Sequence, residues 1–262
     1  MRCENINHFW MNTNFDYSKH IPENPRMGRR LVIADIHGFA RTFRTLVEEK
    51  LQLTLFDQLF LLGDYIDRGP DSAGVIDFIL ELQAAEYQVF ALRGNHEENF
   101  LDAYKGYQTG IYQKFFLQMI AAEKLDKLLD SKRQLLPVYQ GFFDSLPYYF
   151  ELDRFYLVHA GFRFTDPHPF KDFDSMTTMR RFVHNPTDKT IIHGHDITDL
   201  LIIKQKIAER SNIIPLDNGC YYGPALKSGT PGYYTGMLQQ NVGKLLALDL
   251  DTFELWEQEN VD

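Results

Sequence analysis

What most limits the fold of this chain is a pattern of short aliphatic runs that each stop at an Asp, Asn or His. Residues 30–34 lead into Asp35, residues 59–62 into Gly63 and Asp64, and residues 89–92 into Arg93, Gly94, Asn95 and His96. Further on, residues 155–158 lead into His159, 190–192 into His193, Gly194 and His195, and 213–216 into Asp217, Asn218 and Gly219. Runs this short, bounded by Gly or polar residues, predict buried strands. Asp35, Asp64 and Asn95 recur at intervals of about 30 residues, the length of a strand–helix–strand unit, so the first strands should be parallel. Between them Phe43, Leu46, Val47 and Leu51 fall on one helical face. Val75, Ile76, Ile79 and Leu80 do the same after Pro70 and Asp71. In open α/β sheets, ligands gather at the carboxyl ends of the strands, where these polar residues stand.

Residues 100–146 read as a helical excursion, with Phe115, Phe116, Met119 and Ile120 along one face. After Leu200 the pattern changes to short runs, a Gly/Tyr loop over 221–234 and an apolar stretch at 245–251, which predicts antiparallel strands. The loop is expected to shape a cleft. Residues 1–26 lack periodicity and are read as an unassigned N-terminal arm before a single domain over 27–262. With 44% hydrophobic and 24% charged residues in 262, one globular core is expected. No run is long enough to span a bilayer, and no basic-then-apolar leader is present. Only Cys3 and Cys220 occur, which argues for a reducing compartment, so a cytoplasmic location is expected. A net charge of −9 argues against a broad nucleic-acid face, and no membrane partner is expected. Such a chain can still hold phosphate where metals or a few arginines supply local positive charge.

Asp35, His37, Asp64, Asn95, His159 and His195 converge if the strands are ordered this way. Each alone reads as a turn residue or a packed histidine. Together they crowd carboxylates into a low-dielectric site, which two divalent cations can compensate. The set has no thiolate, which disfavours a cysteine-type zinc site, and suits manganese, iron or zinc in an open catalytic site.

The motifs 34–38 (Ala-Asp-Ile-His-Gly), 63–69 (Gly-Asp-Tyr-Ile-Asp-Arg-Gly), 93–97 (Arg-Gly-Asn-His-Glu), 159–161 (His-Ala-Gly) and 193–195 (His-Gly-His) resemble those of calcineurin-like metallophosphoesterases. More narrowly they are similar to serine/threonine phosphoprotein phosphatases of bacterial and phage type, over about residues 31–250. The resemblance implies an α/β fold, a two-layer mixed β-sheet sandwich flanked by helices. It implies a pair of metals, manganese first in expectation, with Asp35, His37 and Asp64 on one and Asp64, Asn95, His159 and His195 on the other. It further implies direct in-line attack on a phosphoester by metal-activated water. His96 is then the acid for the leaving alkoxide and Asp67 its orienting partner. Arg68 is then a phosphate clamp, joined by Arg180 or its neighbour Arg181. Arg93 reads equally as a phosphate contact or as an ion pair with an acid such as Glu97.

The expected substrate is a phosphoprotein or a small phosphoester. Three departures lie at the rim of the site. Ala34 replaces a usual Gly, Asp196-Ile197 follows His195 in place of Thr-Pro, and Asn218 interrupts an Asp-Thr-Gly pattern. The nearest rival is a symmetrical dinucleoside polyphosphate hydrolase. Its bacterial members tend to lack the acid at Asp67 and to carry Asp where Glu97 stands, which tilts the sequence toward protein phosphatases. A non-catalytic metal-binding module is the outside reading; it should have lost a ligand or His96, and none is missing. His193 is read as lying behind the ligands. His8, His20, His168 and His184 are read as surface or packing residues, and Cys220 as a small buried hydrophobe.

Overall fold

Alternation decides the layers. The computed structural model describes residues 18–20, 27–223 and 241–262. Strand β2 (Arg30–Ile33) turns Leu31 and Ile33 to one core and Val32 to another. Strand β3 (Gln58–Leu61) does likewise with Leu59 and Leu61 against Phe60. A sheet that is apolar on both faces must be covered on both. Helices α1 (Ala40–Thr45) and α2 (Ser72–Ala84) supply Phe43, Val75, Ile76 and Ile79 on one side. A second sheet supplies Phe150, Leu157, Ile192 and Ile214 on the other.

The first sheet runs β10-β9-β2-β3-β4, with β4 over Gln88–Ala91, β9 over Lys244–Asp249 and β10 over Leu255–Glu259. Its strands β2, β3 and β4 are parallel, while β9 is antiparallel to both β2 and β10. The second sheet runs β1-β5-β6-β7-β8, from β1 (Ser18–His20), β5 (Tyr149–Glu151), β6 (Phe155–Val158), β7 (Thr190–His193) and β8 (Ile213–Pro215). Here β6, β7 and β8 are parallel, β5 is antiparallel to β6, and β1 lies parallel to β5 at the edge. Helix α6 (Phe173–Thr178) packs Met176 with Phe162 on the outer face. The expected sandwich of two mixed sheets flanked by helices is the fold.

Two expectations need correction. The chain after Leu200 is not all antiparallel: Leu200, Ile203 and Ile207 bury one face of helix α7 (Leu200–Ala208), and β8 pairs parallel to β7. Among the described residues after Leu200, β9 and β10 form the antiparallel part. The excursion contains α3 (Asn95–Gln108), α4 (Gln113–Ala122) and α5 (Pro137–Asp144). On α4, Phe116 and Ile120 are buried but Phe115 is exposed, because residues adjacent in sequence point about 100° apart on a helix. Residues 1–17 and 21–26 of the N-terminal arm, and 224–234 of the Gly/Tyr loop, lie outside the described residues. Among the described residues no helix is long and apolar enough to cross a membrane.

Candidate active site

Parallel strands bring their carboxyl ends to one edge, and the two sheets meet there. Asp35 and His37 follow β2, Asp64 follows β3, and Asn95 and His96 open α3. His159 follows β6 and His195 follows β7. The backbone turns sharply at His37, Asp64 and His195, all with positive φ, which throws these side chains into the space between the sheets. Gly94 and Gly194 let the loops close: a Cβ on Gly94 would stand 2.2 Å from the Asp64 carboxylate, and one on Gly194 2.2 Å from that of Asp35.

Asp64 is the centre. Its backbone oxygen accepts from the N–H groups of Ile36 and His37, locking the two loops together. His37 gives Nδ1–H to the Ile66 carbonyl at 3.2 Å and turns Nε2 toward Asp64, 3.6 Å away. His159 repeats the device, with Nδ1 on the Leu62 carbonyl at 2.9 Å and Nε2 3.5 Å from Asp64. The Nε2 lone pair of His159 also faces Asn95 Oδ1 at 3.0 Å and His195 Nδ1 at 3.2 Å. Ligand atoms of Asp64, His159 and His195 lie within 4.8 Å of one another, as do those of His37, Asp64 and His96. Asp35 closes the set from β2, accepting the His195 backbone N–H at 3.0 Å. His195 Nε2 is buried without a hydrogen-bond partner among the described residues.

This is an arrangement of acceptors aimed at acceptors, which a cation satisfies. Burial lowers the pKa of His37, His159 and His195, the last to about 3, so all three imidazoles are neutral and free to ligate. Burial pushes Asp35 well above the carboxylate range, with Asp217 and Asp64 adding repulsion, and raises Asp217 to about 7. Burial also works to raise Asp64, but His159, His96 and His37 outweigh it and hold it well below that range. Two cations sharing Asp64 fit this donor set.

His96 stands beside the cluster. Its Nδ1 donates to Asp67 at 2.5 Å, and its backbone N–H donates to Asp64 at 3.0 Å. Burial pulls its pKa down, but Asp64 and Asp67 prevail and raise it to about 9. Arg68 is exposed, with Nη2 3.4 Å from His96 Nε2. Arg180 is exposed and pairs with Asp196, the residue after His195, at 2.9 Å. Arg181 gives its backbone N–H to Asp196. Arg93 binds Glu98 at 2.8 Å and the Phe143 carbonyl at 2.7 Å, so its acidic neighbour is Glu98 and not Glu97.

Glu97 has a different task, which sequence reasoning missed. Fully buried, it accepts the N–H groups of Asp64, Tyr65 and Gly94 at 2.8–2.9 Å and so holds the loop that carries Asp64. Its place in the third position of a helix beginning at Asn95 was the available signal. His193 is buried against Phe182.

A sandwich of mixed sheets with this cluster at its carboxyl edge defines a two-metal phosphoesterase class. The chain belongs to the calcineurin-like phosphoesterases, whose family model matches residues 28–226. It is similar to the symmetrical bis(5'-nucleosyl)-tetraphosphatase of Photorhabdus laumondii, 31% identical over 130 residues, covering 50% of this chain and 43% of that one. The corresponding enzyme of Nitrosospira multiformis is 31% identical over 134 residues, covering 49% and 42%. The matched stretches thus span less than half the length of these relatives. A crystal structure provisionally described as a diadenosine tetraphosphatase superposes with a TM-score of 0.61 at 19% identity, covering 92% of this chain and 96% of that one. A serine/threonine phosphatase of Saccharomyces cerevisiae superposes at 0.55 with 16% identity, covering 95% and 85%. At such identities both structures speak to the fold. The sequence relatives lie on the dinucleotide side, against the tilt that Asp67 and Glu97 gave to the motifs.

Proposed function

We propose that this protein is a two-metal hydrolase of dinucleoside polyphosphates, cleaving a phosphoanhydride bond with the residues around Asp64. The convergence of His37, His159 and His195 on that one carboxylate, with Asn95 against His159, carries the reaction class, and the tetraphosphatase relatives carry the substrate class. Asp35, His37 and Asp64 hold one cation in this reading, and Asp64, Asn95, His159 and His195 the other. Cations bound there would supply water activation and charge neutralisation at the phosphoryl oxygens. Arg68 beside His96, and Arg180 paired with Asp196 next to His195, bring guanidinium groups near the cluster, which suits a chain of phosphates.

A second reading has its own observation. The Asp67–His96 pair is built as a proton donor, and an alkoxide leaving group needs one while a nucleotide phosphate does not. It favours a phosphomonoester substrate. Product analysis separates the two: manganese-loaded protein is given diadenosine tetraphosphate and a phosphoserine peptide in parallel. ADP released with the peptide untouched is the expected result. Inorganic phosphate from the peptide alone assigns the site to phosphomonoesters.

A further inference from the structure

Three arginines surround the candidate site, and they are held in different ways. Arg93 and Arg180 each have a carboxylate on the guanidinium edge, from Glu98 and Asp196. Arg68 forms no ion pair among the described residues. Its guanidinium carbon instead lies over the ring of Tyr221, 4.0 Å from the centroid. Tyr221 is itself fixed. Its ring meets Tyr222 at 4.1 Å and the edge of His37 at 5.5 Å, and it packs against the main hydrophobic core. The Arg68 backbone is pinned separately, by donation of its N–H to Glu123 at 2.8 Å.

The two modes of holding differ chemically. A carboxylate takes the in-plane N–H donors, the same donors that bind phosphate oxygens in a bidentate fork. A ring face takes the guanidinium plane and leaves those donors open. An exposed arginine otherwise samples many rotamers, and ordering it on binding weakens the complex. We propose that Tyr221 is a positioning residue that holds Arg68 over its ring beside His96 and leaves its N–H donors, apart from the Nη2 contact with His96, open to a phosphoryl oxygen. The assignment rests on the reading of Arg68 as a phosphate-binding residue, and it places the function in a tyrosine that belongs to no ligand motif.

The test compares metal-loaded wild type with Tyr221→Leu, Tyr221→Phe, Arg68→Ala and the double variant Tyr221→Leu/Arg68→Ala. Leucine keeps apolar bulk against the core and removes the π face; phenylalanine keeps the face. Turnover of diadenosine tetraphosphate, inhibition by inorganic phosphate and bound metal are measured, and the Arg68 Nε–H signal is followed by NMR. Y221L is expected to raise KM and the phosphate inhibition constant about threefold to tenfold, the range of a partly desolvated cation–π contact. Its metal content should be unchanged, and the Arg68 signal should lose its ring-current shift. Y221F should restore wild-type values, and the double variant should be no worse than R68A, since the tyrosine acts through the arginine. Losses that multiply in the double variant, or an Arg68 signal indifferent to Y221L, overturn the proposal. If the signal moves but R68A leaves phosphate inhibition intact, Arg68 is stacked without binding phosphate, and the substrate role of both residues falls while the two-metal reading stands.

Discussion

His96 shows how much a single side chain can be asked to do. Fixed by Asp67 on Nδ1, it can present only Nε2 to a substrate, and with a pKa raised to about 9 it is protonated at neutral pH. His96→Asn should therefore lower kcat on alkyl phosphates by roughly 10²- to 10⁴-fold, the range for losing a general acid. On diadenosine tetraphosphate the loss should be much smaller, because the departing nucleotide phosphate is weakly basic. Bound metal should be unchanged in both cases. The pH–rate profile gives the sign independently. The acid form disappears as pH rises, so kcat on an alkyl phosphate should fall on the alkaline side, while the dinucleotide profile stays flat there. A cation on Asp64 cancels part of what raises His96, which sets the alkaline limb of the loaded enzyme below 9. Equal losses on both substrates would show that His96 does something other than protonate a leaving group.

Elements are held in register by groups that carry no chemistry, and Asp57 is the clearest. Standing just before β3, it accepts the Arg29 backbone N–H at 2.8 Å, the Arg29 guanidinium at 2.7 Å and the Thr54 backbone N–H at 2.9 Å. It thereby ties the starts of β2 and β3. Burial alone pushes its carboxyl up, but Arg29 and Thr54 outweigh it and bring the pKa down to about 2. A depressed folded-state pKa means stability that is present above the unfolded value near 3.8 and lost as pH falls through 2. Asp57→Asn should cost about 2 kcal/mol at pH 7, read from urea midpoints. The gap from wild type should narrow between pH 4 and pH 2; a gap constant with pH would mean that packing, not charge, is lost. The sequence already disclosed β2, β3, β4, β6, β7 and the existence of β8, with the polar residues that follow them, because each run is short, apolar and followed by a loop residue of fixed chemistry. What stayed hidden depends on distance along the chain. Tyr221 reaches Arg68, and Asp196 reaches Arg180, through folding of separate segments that leave no periodic trace. The direction of β8 was hidden for a related reason: Leu200, Ile203 and Ile207 carry helical spacing, but a helix there matters only once β7 is known to precede it. Glu97 and Glu98 could not be told apart as partners of Arg93 without knowing which side of α3 faces the core.

On the scale of the whole molecule, β2 joins the two sheets at both of its ends. At its start the buried Arg30 binds Asp251 of the β9–β10 turn at 2.9 Å and Asp153 of the β5–β6 turn at 2.6 Å. Past its end Asp35 takes the backbone N–H of His195, from the second sheet. The first of these junctions is a charge balanced by opposite charges; at the second, the protonated imidazole of His96 faces more buried carboxyls than it can balance. The second gathers Asp35, Asp64, Glu97 and Asp217, all nearly inaccessible to solvent, around imidazoles that burial keeps neutral. Such a site destabilises the metal-free fold and is relieved by cations. The folded-state pKa of Asp35 lies above its unfolded value, so the metal-free protein should lose stability as pH rises from 4 toward neutrality. Metal binding at neutral pH should release protons, because ligation needs the deprotonated carboxylates. A cation at about 100 times its dissociation constant adds about 2.7 kcal/mol. For a chain of this size that is a rise in Tm of roughly 5–10 °C. Asp35→Asn separates the two effects. It should raise Tm in chelator, by removing the cost of keeping a buried carboxyl protonated that the unfolded chain ionises at neutral pH, and abolish most of the rise on adding manganese. A variant less stable than wild type in chelator, with its metal response intact, would mean that the Asp35 carboxylate serves the junction with His195 and not the cations.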